Sequence, residues 1–199
     1  MTAMTKGFIF KYSAEPDDPL MEDELGTSSV CGLRLRDPDF RSNDFPVWAV
    51  CGPYYREALD PGDVVFFAPK KSATRKAGLD DYVCTGILVV AEKLPCSKDV
   101  MADPRLTSEY KKKYRSDLVA HLRRDREQAP RTEKIRPCNF VLGDKSKSEW
   151  IGRNQEYLRT ALDQAGLHGI AMKLSFRRIP ALKEQDVRSL YRRLVGKEL

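Results

Sequence analysis

A chain of 199 residues with 41% hydrophobic content is long enough to bury one full-sized core, and its formal net charge of +6, from 35 Lys and Arg against 29 Asp and Glu, is a modest basic excess. No run approaches the ~20 apolar residues of a membrane span, and the opening MTAMTKGFIFKYS lacks an apolar stretch with a cleavage site, so a soluble cytoplasmic protein is expected. Five cysteines, odd in number and without a CxxC pair, fit reduced packed thiols and argue against a disulfide framework.

Gly7 to Ser13 is dominated by aromatic and β-branched residues and predicts a first strand. The segment from Glu15 to Glu24 carries six acids and no Lys or Arg, and reads as a loop. Val30 to Arg36 alternates apolar and polar, as a strand with one wet face does, and Val47 to Cys51 follows as another, between Pro46 and Gly52-Pro53. Asp60-Pro61-Gly62-Asp63 is a turn in which Pro presets φ and Gly supplies the conformation that other residues resist. Val64 to Ala68 then predicts a strand closed by Pro69, and Tyr82 to Ala91 a longer one. Between them Lys70 to Lys76 offers four cations and no acid, so the pair makes a wide hairpin with a cationic tip.

After Lys93 the texture turns polar. Thr107 to Tyr114 predicts a short helix with Thr107 near its N-cap, and Leu118 to Arg124 is helical in composition until Pro130. Asn139 to Gly143 is a sixth strand, and Trp150 opens a helical pattern that includes Tyr157, Leu158, Ala161 and Leu162, with Gly166 as its stop. Ile170 to Arg177 reads as a strand. Glu184 to Val195 predicts an amphipathic helix whose Val187, Leu190, Tyr191 and Leu194 share a face. Closely spaced strands joined by turns favour an α+β fold built on a small mixed or antiparallel barrel with surrounding helices. One domain over residues 1–199 is expected, with a polar helical insertion near 97–136 and a C-terminal helix near 183–195.

Catalytic patterns are thin. Gly143-Asp144-Lys145-Ser146 lacks the upstream glycine of a phosphate loop, and no GxSxG elbow or zinc deaminase pattern is present. His121 and His168 have no nucleophile beside them in sequence, and no metal or cofactor is expected. Asp17-Asp18 and Asp80-Asp81 are adjacent acids that point to opposite sides of an extended chain. Binding is better served. Cations track phosphates and aromatic faces stack bases, which nominates Lys70, Lys71, Arg75, Lys76 and Arg153 for a nucleic-acid backbone and Trp48 and Trp150 for an exposed or flipped base. Both tryptophans can equally serve packing, Trp48 in the core and Trp150 as the anchor of its helix.

Several stretches resemble the nucleotide modification associated domain 2 family of bacterial and phage proteins, and more distantly the PUA-like group with its EVE, ASCH and YTH modules. They are Tyr12-Ser13 on the aromatic first strand, Asp60 to Val65 with its Gly-Asp step, the strand through Gly86 to Val90, Asp103-Pro104-Arg105 to Tyr114, and Ser148 to Arg153. The chain departs from that pattern at Val50 to Arg56 and in the acidic segment 15–26. The resemblance implies a PUA-like barrel linked to systems that modify DNA bases or read modified ones, and a pocket at Tyr12, Ser13, Trp150 and Gly152. The function expected is nucleic-acid binding, with base or nucleotide modification as the enzymatic alternative and no membrane partner.

Overall fold

The computed structural model describes residues 5–13, 38–40, 43–49, 58–70, 78–94, 102–113, 140–151, 156–170 and 182–199. The strands are β1 (Gly7–Ser13), β2 (Val47–Ala49), β3 (Val64–Lys70), β4 (Val83–Cys84), β5 (Gly86–Leu94), β6 (Phe140–Gly143), β7 (Glu149–Trp150) and β8 (Glu156–Tyr157). The helices are α1 (Ser108–Lys113), α2 (Leu158–Gln164) and α3 (Glu184–Val195). The architecture is mixed α+β, as expected. A six-stranded sheet has the order β1-β3-β5-β6-β2 with β7 attached to β5, and β4 pairs separately with β8. Among the described residues β1 and β2 end the sheet without pairing to each other.

β1 and β3 are parallel, and the remaining ladders are antiparallel. The turn before β3 follows from its sequence: Gly62 has φ +92°, and the buried Asp63 carboxylate accepts the N–H groups of Lys6 and Asp60, each at 2.9 Å. The strand does not stop at Pro69. It continues to Lys70, since Pro69 lies opposite Tyr12 and one missing N–H does not end the pairing. The long strand predicted over Tyr82 to Ala91 is broken at Thr85 into β4, which pairs with β8, and β5, which runs on to Leu94.

β5 organises the molecule. Its first half pairs with β3 and with β7, its second half with β6, and the register shifts between Val90 and Glu92. β6 and β7 both lie antiparallel to β5, separated by the turn 144–148. That excursion is tied down by Asp144 N–H on Val89 O at 2.8 Å and Val89 N–H on Ser148 Oγ at 3.0 Å. Trp150 is therefore in a strand where a helix was expected; the helix begins only at Leu158 and ends at Gly166, φ +75°.

Side-chain alternation places two apolar layers on the sheet. Ile9, Phe66, Ala68, Ile87 and Val89 pack with Leu158 and Leu162 of α2 and Val187, Leu190 and Tyr191 of α3. Phe8, Trp48, Val65, Phe67, Leu88 and Val141 pack on the other side, with Phe10, Phe40 and Trp150 at their margin. α1 is capped by Thr107, whose Oγ1 accepts the Tyr110 N–H at 3.1 Å, and sits over Phe140, Leu142 and Val47. α3 keeps its predicted bounds. Of its expected apolar face Val187, Leu190 and Tyr191 are buried, and Gly196 at φ +74° ends the helix. Ile170, expected to open a strand, lies in a helical turn. The expected strand Val30 to Arg36, the acidic segment 15–26 and most of the insertion near 97–136 lie outside the described residues.

Candidate nucleic-acid interface

Sheet register assembles rings from distant parts of the sequence. Phe10 lies opposite Phe67, Phe67 opposite Gly86, and Gly86 opposite Trp150, so one row crosses β1, β3, β5 and β7. The glycine in that row makes room for a ring from elsewhere: a Cβ on Gly86 would stand 3.0 Å from Cε2 and Cζ of Phe40. Phe40 in turn lies 6.4 Å from Phe67 in a T-shaped contact and 6.2 Å from Trp150 with their planes tilted by 40°. Trp48 completes the cluster, edge-on to Phe10 at 5.0 Å and Phe67 at 4.9 Å.

Burial divides these rings. Trp48 is 1% exposed and Phe67 is fully covered, whereas Phe10, Phe40 and Trp150 are half-buried. Trp48 is thus core, and its proposed place in a base pocket is corrected: the edges of Phe10 and Phe67 occupy its surroundings. Phe40, the half-buried ring beside Trp150, is a residue sequence reasoning missed. Its signal was indirect, in the Gly86 opposite Phe67 that leaves a ring-sized gap.

Lys70 sits at the end of β3. Ser13 is in register with Lys70 and Tyr12 with Pro69, while Lys70 also bridges Tyr82. The backbone of Tyr12-Ser13 therefore adjoins the start of the basic stretch. Lys71, Arg75 and Lys76, together with Gly152 and Arg153, lie outside the described residues, as do the side chains of Tyr12 and Ser13. Lys11, also missed from sequence, has its Nζ 5.2 Å from the Tyr82 ring centroid, a cation–π contact. Partial burial pushes its ammonium below the usual lysine range. By strand alternation Lys11 follows Ile9 and Lys70 follows Ala68, so both belong to the face opposite the aromatic row. Rings and lysines converge on one end of the sheet but on different sides of it.

The basic C-terminal stretch behaves otherwise. Arg188 pairs with Glu184 at 2.9 Å, Arg192 with Glu198 at 2.6 Å, Arg193 with Glu156 at 2.5 Å and Lys197 with Glu149 at 3.3 Å. These acids balance the charge of Arg188, Arg192, Arg193 and Lys197. Arg159 is likewise held by Asp80 at 2.7 Å, and Arg105 by Glu92 and Asp103 at 2.7 and 2.6 Å.

Other candidate groups serve the fold. Asp81 accepts the Gly78 N–H at 2.9 Å, and Asp144 accepts the backbone and hydroxyl of Ser146 at 2.8 and 2.7 Å, so the Gly143 to Ser146 stretch is a side-chain-stabilised turn. His168 is exposed with Nδ1 2.8 Å from Asp163 Oδ1; His121 lies outside the described residues. Cys84 is buried, which drives its thiol up to about 12 and keeps it protonated and unreactive at neutral pH. Among the described residues no group of three or more His, Cys, Asp or Glu could hold a metal ion, and no helix is long and apolar enough to cross a membrane. No protein-family model matches the chain, and neither does any curated protein or solved structure.

Proposed function

We propose that the chain is a nucleic-acid-binding domain of PUA-like kind, related to the nucleotide modification associated domain 2 family, that takes an exposed or flipped base onto Trp150 and Phe40 and holds the neighbouring phosphates with Lys70, Lys71, Arg75 and Lys76. Lys11 joins the phosphate side. The role fits DNA-modification systems, in which a base must be read outside its stack. The observation that carries the reading is the register of the sheet: on β3 the aromatic row stands three residues from Lys70, about 10 Å at ~3.3 Å per residue, and Trp150 lies in that row two strands further across. The half-buried rings and the start of the basic stretch thus share one end of the sheet on opposite faces, and an oligonucleotide that contacts both passes around that end. The register shift within the β5–β6 ladder, between Val90 and Glu92, supports a sheet that curls in the manner of a small barrel.

The test is a polarisation titration with a short single-stranded oligonucleotide over a range of salt. Affinity should fall with salt at a slope of ~0.7 per phosphate neutralised. Trp150→Ala should weaken binding by ~1–3 kcal/mol, the range for loss of one stacked base. Lys11→Met should weaken it while leaving the urea midpoint close to that of the parent. A flat salt response together with an unchanged Trp150→Ala affinity would remove the function.

A further inference from the structure

We propose that the C-terminal helix sets the position of Trp150, with Tyr191 and Lys197 as positioning residues. The mechanical part of this inference stands on contacts alone; its functional meaning rests on Trp150 as the base platform.

β7 is two residues long, and consecutive strand residues point to opposite sides. Trp150 faces the aromatic layer. Glu149 faces the helices, where the Lys197 Nζ lies 3.3 Å from its Oε2. Six residues earlier, on α3, the Tyr191 ring is buried in the helix-side core while its hydroxyl donates to the Lys147 carbonyl at 2.8 Å, in the turn that leads into β7. The helix grips the segment before the strand, and Lys197, just past the helix end, holds its first residue. Beyond Trp150, Ile151 returns to the helix-side core and donates its N–H to Thr85 O at 3.1 Å. With Glu149 and Ile151 fixed on one side, the roll of the strand is fixed, and with it the direction of the Trp150 ring.

Burial makes Tyr191 the stronger of the two grips. Its phenol is also pushed above the usual tyrosine range, first by burial, so it stays a donor throughout the neutral range. The Lys197–Glu149 pair is surface-exposed and adds little to global stability, which makes its loss readable as displacement.

Tryptophan occurs at two positions only, so the full-length chain labelled with 5-fluorotryptophan gives two fluorine NMR resonances, assigned with Trp150→Phe. Tyr191→Phe keeps the ring and deletes the donor. It should move the Trp150 resonance and enlarge its solvent isotope shift while the Trp48 resonance stays in place. Lys197→Ala should do the same to a smaller extent, and Lys197→Arg should restore the parent position. If the Trp150 resonance does not move in either variant, or if both resonances move together as in general loosening, the proposal is overturned. Oligonucleotide affinity should fall in the same order. A resonance that moves without loss of affinity leaves the helix as the positioning element and removes the stacking role of Trp150, which separates this inference from the function proposed above.

Discussion

At Gly143 the chain passes too close to its neighbours to carry a side chain. A Cβ there would lie 2.6 Å from Pro46 Cγ, 2.9 Å from Ser148 Oγ and 3.1 Å from Leu88 Cγ. Two of these atoms belong to short or ring-locked side chains that cannot swing away, so Gly143→Ala should cost ~1–3 kcal/mol as overpacking, read as a lower urea midpoint. A second prediction at this scale concerns pH. Hydrogen bonds from the Arg105 side chain hold the Asp103 carboxyl below the usual aspartate range. A carboxyl bound less tightly to its proton in the folded state stabilises above its unfolded value, and that contribution is lost as pH falls through the folded one. Asp144, held down by Ser146, acts in the same direction, whereas burial raises Asp63, which therefore gains stability on protonation and opposes the other two. Asp103→Asn should accordingly flatten the acid limb of a plot of urea midpoint against pH, below the ordinary aspartate value of ~4. A limb as steep as the parent's would remove Asp103 from the account.

Among the elements, α3 shows how burial outweighs surface charge. Leu190 is fully buried between Val187 and Tyr191, so Leu190→Ala should cost ~2–5 kcal/mol. Arg188→Ala removes an exposed pair one turn apart and should cost no more than ~0.5 kcal/mol; chemical denaturation of the two variants checks the ordering. The same helix was legible in sequence because the signal that defines it is local, an apolar period of 3.6 residues. β1, β3 and β6 were legible for the same reason, as runs of aromatic and β-branched residues. β7 was not. Its partner is Gly86-Ile87, and nothing near Glu149-Trp150 announces that pairing, so the helical period of Leu158, Ala161 and Leu162 was extended backward across residues that alternate as a strand. The site shared this fate. Lys70 and Trp150 could be named from residue type, but the row that brings Trp150 to Phe67, and the ring of Phe40 over Gly86, exist only through sheet register. Trp48 was misassigned because an aromatic residue in a short strand looks alike whether its strand is an exposed edge or seals the core.

Across the molecule, net charge is a poor guide to where a polyanion would lie. The C-terminal cations face acids brought in from Glu149, Glu156, Glu184 and Glu198. Replacing Arg188, Arg192 and Arg193 together by Ala should leave the salt dependence of oligonucleotide binding unchanged. Replacing Lys70, Lys71, Arg75 and Lys76 should reduce its slope by ~0.7 for each phosphate left without a cation. Equal effects from both sets, measured by polarisation at several salt concentrations, would mean that overall charge and not one end of the sheet governs binding. The pairing of Gly7 with Leu182 has a temporal consequence. Each donates its N–H to the other's carbonyl, at 3.1 and 2.7 Å, and Val187 packs where a Gly7 side chain would be. The outer edge of β1 must therefore wait for the synthesis of Leu182 before it is sealed. Nascent chains arrested before Leu182 should remain protease-sensitive at β1, which limited proteolysis of stalled chains checks.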